Sequence, residues 1–388
     1  MRTGVHRYPL LERVIYGQPA AEAIVQEVAA AGASRVFLTT NRSLGPAGGL
    51  TSGIAAALRE RCVGTYAGIT AHSPRECVVA GAAQARAAGA DLLVAVGGGS
   101  VIDATKLMLA CLWHGLTRTD ELDAYRGDRG ADPSRRPKGM EGAIRMFAVP
   151  TTFSAAEFTH STGVTDTQRR AKEPFSHALF TPQVVVLDPA ATLATPMNLL
   201  LSTGMKAVDH AVERLCALNA PPFSDAVSGQ ALTLLARALP AIQSAPQELA
   251  ARLEGQLGMW LSISGAAAGV RVGVSHAIGH TLGGTYGVPH GMTSCVTLPS
   301  ALRWNAKANL HRQREVSRLL GDPQAPAADL VAQLVSRLGL PGRLRDVGIR
   351  REDFRAIADH TMHDAPVLSN PRKIERSADI VEILELAW

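Results

Sequence analysis

The stretch Asp91–Lys106, DLLVAVGGGSVIDATK, decides how the first half of this chain is read. Leu92 to Val96 are consecutive apolar residues, the pattern of a strand buried on both faces. Gly97, Gly98 and Gly99 follow, and residues without a Cβ allow a tight turn and close backbone approach to a phosphate. Ser100 then opens a helix, whose unpaired N–H groups and dipole favour an anion. Strand, triple glycine and helix in this order make a pyrophosphate cradle. The stretch is neither a Walker A loop nor GxGxxG, and a glycine-rich turn without a ligand is the plainer reading. Ser100 and Asp103 also fit an S-x-x-D capping pattern, in which Asp103 only caps the helix.

Outward from this turn, strands are expected at 35–39, 64–70, 91–96 and 145–149, and further ones at 162–166 and 183–187. Helices are expected near 50–61, 74–88 and 101–113. Alternation of this kind implies a parallel sheet with helices on its faces. Residues 115–142 are polar and rich in Gly, Pro, Asp and Arg, which reads as a long loop. Thr151, Thr152 and Ser154 fall just past a strand end, at the edge where open α/β sheets bind ligands, although short hydroxyl residues also form turns there. After about residue 190 only helical spacing remains, at 199–218, 225–243, 247–268, 275–284 and 311–320. The expected organisation is an α/β dinucleotide-binding domain over 1–190 and an all-α domain over 191–388.

A chain of 388 residues suits two domains, and its 46% apolar content is enough for both cores. The net charge of +5 is mild. Its one local cluster, Arg135, Arg136 and Lys138, lies in the polar loop, and no basic stripe with stacking aromatics points to nucleic acid. Five cysteines, an odd number without a CxxC pair, argue against a disulfide framework or a structural zinc site. The first residues lack the apolar core of a signal peptide, and no uncharged apolar run reaches membrane-spanning length. A cytoplasmic protein with no membrane partner is expected.

The second half holds GMKAVDHAVE (204–213) and SHAIGHTLGGTYGVPHG (275–291). His276 and His280 lie one helical turn apart on one face, and Lys206 and His210 do the same. His290 follows a proline at a new helix start. Four histidines in two short segments suit a metal or proton transfer; ordinary helix-surface histidines are the plainer reading.

Together GGGSVIDATK, PTTFSAAEFT…GVTD, GMKAVDHAVE and HAIGHTLGGTYGVPHG resemble the iron-containing alcohol dehydrogenases, in the same order, from Ile15-Tyr16-Gly17 to about Asn305. The resemblance implies the fold shared with dehydroquinate synthase: an α/β dinucleotide-binding domain, a helical domain, and an active site in the cleft between them. It implies NAD(H) or NADP(H) on Gly97, Gly98, Gly99, Ser100, Asp103, Thr151, Thr152 and Ser154, with Asn41 on the adenosine side. Thr39-Thr40-Asn41-Arg42 offers no acid for a ribose 2′-hydroxyl, so NADP(H) stays open. The resemblance also implies a divalent metal, iron or zinc, on His210, His276, His290 and an aspartate, with His280 close to nicotinamide and substrate.

The aspartate position departs from the pattern. Metal-holding members read GMDALTHAIE, and this chain has Lys206 there; a charged lysine donates and cannot ligate a cation. Asp209, next to His210, points about 100° away on a helix. A metal is therefore expected to be weakly held or absent, with Lys206 supplying positive charge to a substrate carbonyl or carboxylate. The AAEFT…GVTD segment and the missing aspartate resemble the maleylacetate reductases, although those carry asparagine at 206 and HHKLCH where this chain has SHAIGH. The expected activity is NAD(P)H-dependent reduction of maleylacetate or a related oxo or enoate compound in aromatic degradation. Its substrate is a small anionic molecule, for which Lys206, Arg271, His160 and Lys172 offer charge. His280 is the candidate proton relay. Competing readings are a metal-dependent alcohol dehydrogenase, an NAD-using lyase of the dehydroquinate synthase type and a non-catalytic binding protein. A symmetric homodimer is the expected assembly.

Overall fold

The computed structural model describes residues 5–45, 49–127 and 139–388, with the side chain of His290 also outside the description. The basic cluster Arg135, Arg136 and Lys138 lies outside the described residues. The chain divides into two compact units, Arg7–Thr195 and Pro196–Trp388, the latter joined by Val5 and His6.

The first unit alternates strands and helices: β1 (Arg13–Tyr16), α1 (Ala20–Ala30), β2 (Val36–Asn41), α2 (Leu50–Leu58), β3 (Cys62–Ile69), α3 (Arg75–Ala87), β4 (Leu92–Gly97), α4 (Gly99–His114) and β5 (Arg145–Pro150). An antiparallel hairpin follows, β6 (Ser161–Asp166) with β7 (Ala171–Ser176), and then β8 (Val184–Leu187). Six strands form one parallel sheet in the order β1-β8-β5-β4-β2-β3. Strand β4 lies inside it and is buried throughout, which is why its residues read as an unbroken apolar run. Leu92, Val94 and Val96 pack on one face with α1 and α2, and Leu93 and Ala95 on the other with α3 and α4.

The strand order fixes where a ligand fits. The chain leaves β2 toward β3 on one side and leaves β4 toward β5 on the other, so the neighbours β2 and β4 part company at their carboxyl ends. Such a switch point is the ligand crevice of an open α/β sheet. Asn41 ends β2 and Gly97 ends β4.

The second unit has helices and no strand among its described residues: α5 (Met197–Cys216), α6 (Pro222–Ser244), α7 (Leu249–Ser264), α8 (Val274–Tyr286), α9 (His290–Leu319), α10 (Ala327–Arg337), α11 (Phe354–Thr361) and α12 (Ser377–Leu386). Helix α5 is buried on nearly every face. The expected helix at 311–320 is the tail of α9, which starts at His290, carries Pro299 and breaks helical geometry at Asn309. That proline and that break hide the helix from a periodicity reading. Among the described residues no helix is long and apolar enough to cross a membrane.

Candidate active site

The glycine turn packs so closely against Val101, Thr152 and Ser154 that no Cβ fits at its three positions. Gly97 has φ +157, and a Cβ there would lie 2.6 Å from Val101. A Cβ on Gly98 would meet Thr152 at 3.0 Å, and one on Gly99 would meet Ser154 Oγ at 3.0 Å. Thr152 Oγ1 and Ser154 Oγ are buried without a hydrogen-bond partner. Gly98 is the N-cap of α4, and no side chain caps it. The helix start thus has no side-chain cap and two orphaned hydroxyls beside it, which fits the phosphates of a dinucleotide.

The other predicted contacts also make bonds within the fold. Ser100 does not cap α4, because the helix begins one residue earlier. Its Oγ accepts from His72 N at 3.1 Å, and its carbonyl accepts from Ser73 Oγ at 2.8 Å. The capping role expected of Asp103 fails with it; the Asp103 carbonyl accepts from Thr162 Oγ1. Thr151 N donates to Gly97 O, and the Thr151 carbonyl accepts from Thr195 Oγ1 at 2.7 Å, so this residue ties the ends of β4 and β5. Asn41 Oδ1 accepts from Ser43 Oγ and Leu44 N, closing the turn after β2. Beneath the turn, the Lys106 ammonium donates to the carbonyls of Ala156, Thr159 and Ser161 at 2.6–2.9 Å. It pins the loop that carries Ser154.

In the helical unit, α5 and α8 bring His210 and His276 together as stacked rings with centroids 4.7 Å apart. His276 Nδ1 shares a hydrogen bond of 2.7 Å with Glu213 Oε2. Glu213 also accepts from Gly273 N at 2.8 Å and Ser275 N at 2.9 Å, so one buried carboxylate holds both the start of α8 and the ring of His276. Asp209 lies on the same ring edge, 3.6 Å from Nδ1, and accepts from Ser275 Oγ at 2.8 Å. Burial raises Glu213 to about 7 and Asp209 to about 6. Nε2 of His276 is buried and unpartnered. One turn on, His280 stands edge-on to His276 with centroids 6.3 Å apart, and its Nδ1 meets Asp364 Oδ2 at 2.6 Å. His290 starts α9. Of the other expected cations, Arg271 and Lys172 are exposed, the latter on β7, and His160 sits just before β6.

Glu213 and Asp364 are the site residues that the sequence reading missed. Glu213 had a signal, one turn beyond His210 on a helix; Asp364 had none, being distant in sequence.

Asp209, Glu213 and His276 bring three potential metal-ligating atoms within 4.8 Å of one another, at the Nδ1 edge of His276. Asp209 approaches His276 at the Nδ1 edge, not at the orphaned Nε2, and does not take over the position filled by Lys206. Burial holds the His276 pKa down at about 3 against the opposing pull of Asp209, and the Lys206 charge pushes the same way as burial. The ring therefore sits in the field of a nearby cation, which raises the cost of adding a second, divalent one.

A phosphate-ready turn at the switch point of a parallel sheet, with carboxylate-oriented histidines on a helical unit, defines a dinucleotide-dependent enzyme. Residues 12–189 match the family described as iron-containing alcohol dehydrogenase, and residues 200–388 match its C-terminal part. The chain is 30% identical to maleylacetate reductase of Burkholderia cepacia over 97% of its own length and 96% of that protein. It is 29% identical to lactaldehyde reductase of Escherichia coli K12, over 99% of this chain and 100% of the other. The crystal structure of maleylacetate reductase from Agrobacterium tumefaciens superposes with a TM-score of 0.83 at 25% identity, covering 100% of this chain and 99% of that one. The chain belongs to the iron-containing alcohol dehydrogenase family, in its maleylacetate reductase-like part, and is an NAD(P)-dependent oxidoreductase.

Proposed function

We propose that this oxidoreductase reduces a small anionic oxo or enoate compound of the maleylacetate type, and does so without a metal at the family's position. The observation that carries the reading is Lys206, which stands where metal-holding relatives have an aspartate and whose charge is felt by His276. A fixed cation draws a carboxylate and stabilises negative charge that develops on oxygen. The cofactor, when bound, supplies the hydride.

The remaining tasks fall to the chain. Gly97–Gly99, Thr152 and Ser154 hold the phosphates at the N-terminus of α4. Glu213 and Asp209 fix the Nδ1 edge of His276, so that its other nitrogen faces away from them. His210 and His276 form a buried imidazole wall next to Lys206, and His280 moves the proton. Homologous reductases of maleylacetate at 30% identity support this substrate class. A homodimer acting on soluble substrate is the assembly we propose with it.

The test is NADH and NADPH oxidation by the purified protein with maleylacetate, with and without a strong chelator, beside metal analysis of the same sample. Chelator-resistant turnover by metal-free protein is expected. Turnover only of simple aldehydes or ketones, abolished by chelator, refutes the reading and favours a metal-dependent alcohol dehydrogenase.

A further inference from the structure

We propose that Asp364 is a positioning residue: it fixes His280 in the Nδ1–H tautomer and thereby makes Nε2 the nitrogen that delivers the proton during reduction. This rests on the reductase reading above, in which His280 moves the proton. The geometry is direct. His280 Nδ1 and Asp364 Oδ2 are 2.6 Å apart. An ionised carboxylate only accepts, so the ring nitrogen facing it carries the hydrogen, and the exchangeable site is Nε2.

The pair is held in place by the protein, not by its own attraction. Next to it, Thr281 Oγ1 and Thr361 Oγ1 share a buried hydrogen bond of 2.9 Å, which locks α8 to α11 one residue after His280 and three before Asp364. Asp364 is the N-cap of a short 3-10 turn, Ala365–Ser369. The far end of that turn is stitched down as well: Ser369 Oγ donates to Val272 O at 2.7 Å, and Asn370 Oδ1 accepts from Val274 N at 3.1 Å. Both ends of the segment carrying Asp364 are thus tied to α8 or to the residues that lead into it.

The pair contributes little to stability. The two side chains are 46% and 27% exposed, and ion pairs so exposed are weak because water competes for both partners. Its use is chemical. Addition of hydride to a substrate carbon leaves negative charge on the carbonyl oxygen, or on the enolate oxygen when a conjugated double bond is reduced. Transfer of the Nε2 proton from the His280 imidazolium neutralises that charge. The ring is left as neutral Nδ1–H imidazole, still donating to Asp364, and solvent at its exposed face restores the Nε2 proton. One hydride and one proton are consumed, and Asp364 remains an anion throughout.

The experiment combines ring nitrogen-15 NMR of histidine-labelled protein with kinetics of Asp364→Asn and Asp364→Glu. His280 resonances are assigned by their loss in His280→Gln. Wild type is expected to show His280 protonated at Nδ1, and Asp364→Asn a mixture of tautomers with a melting temperature within about 2 °C of wild type. With maleylacetate, Asp364→Asn is expected to lower kcat about 10- to 100-fold with KM changed less than about 3-fold. Asp364→Glu recovers part of kcat, and Asp364→Asn adds no loss in the His280→Gln background. An unchanged tautomer in Asp364→Asn, or losses that simply add in the double variant, overturns the proposal. If no substrate is reduced by any form, the reductase reading fails, and the tautomer measurement still decides whether Asp364 sets the state of His280.

Discussion

Glu213→Gln tests whether one buried carboxylate anchors the helix that presents His276 and His280. In the native arrangement Oε2 accepts from Gly273 N and shares a hydrogen bond with His276 Nδ1, and Oε1 accepts from Ser275 N, at 2.7–2.9 Å. The amide keeps only one oxygen. Turned so that this oxygen serves Gly273 and His276, it aims its NH2 group at the Ser275 N–H; turned the other way, it orphans two donors. One buried orphaned donor costs about 1–3 kcal/mol, and the loss of charge assistance on the two surviving bonds costs roughly 1 kcal/mol more. Against this, burial raises Glu213 to about 7, so the neutral amide recovers part of the cost of burying a charge. The expected net loss is about 2 kcal/mol, a fall in Tm of roughly 4–8 °C for a unit of this size. Urea or thermal unfolding reads this directly. Because the phosphate cradle is built from residues of the first unit alone, quenching of protein fluorescence by NAD(P)H should give an unchanged affinity. A Tm within about 1 °C of wild type would show that α8 is not held by this carboxylate, and the account of the His276 ring would go with it.

Gly98→Val should abolish cofactor binding while the protein remains folded. Its Cβ alone would sit 3.0 Å from Thr152, so the turn and the hydroxyl beside it must shift, and NAD(P)H affinity measured by fluorescence titration should fall at least about 100-fold. Lys206→Asp replaces a cation with an anion one turn from His210, and zinc affinity measured against a chromogenic chelator should rise at least about 100-fold; an unchanged affinity would show that residue 206 does not set the charge of the site. Glu157 is buried with both oxygens unpartnered and is raised by burial to about 8. The folded protein therefore binds more protons than the unfolded chain between about 4.5 and 8, and the contribution of this group, present in full at low pH, is lost as pH rises through that window. Glu157→Gln should remove this slope, so that urea unfolding at pH 5, 6.5 and 8 shows a smaller decline for the variant than for wild type.

What the sequence made legible follows from where each residue finds its partner. Strand β4 and its glycine turn are readable because every side chain is apolar or absent, and the sheet interior demands that pattern. Strand β7 is not: its inward residue Glu173 is buried against Arg75, so the alternation reads as polar loop although a face is covered. Strand β1 is short and lies at the sheet edge with exposed ends, which leaves little pattern to see. Helix α1 is a different case, since Ala20, Ala23, Ile24 and Val28 carry helical spacing as plain as that of α3. Among the site residues, the histidines announce themselves by spacing within one helix, whereas Asp364 meets His280 across 84 residues. Periodicity speaks only to neighbours one turn or two residues away.

On the reading proposed above, the charges around the histidines disfavour a cation at Nε2 of His276. In a metal-holding relative the anion at position 206 belongs to the ligand set. Here that position is a cation, and the carboxyl groups of Asp209 and Glu213 lie behind His276 at its Nδ1 edge. They keep the imidazole oriented and polarised, but they cannot reach a ligand at Nε2 without turning the ring away from it. If that reading holds, the site repels a dication and attracts a carboxylate for the same reason, so metal independence and preference for anionic substrates must appear together and disappear together. Lys206→Met separates the two ideas most cleanly, because it removes the charge without offering a ligand. It should weaken binding of anionic substrates about 10-fold or more while leaving cofactor affinity and chelator resistance unchanged. Equal KM values for anionic and neutral substrates in both the wild type and this variant would refute the link.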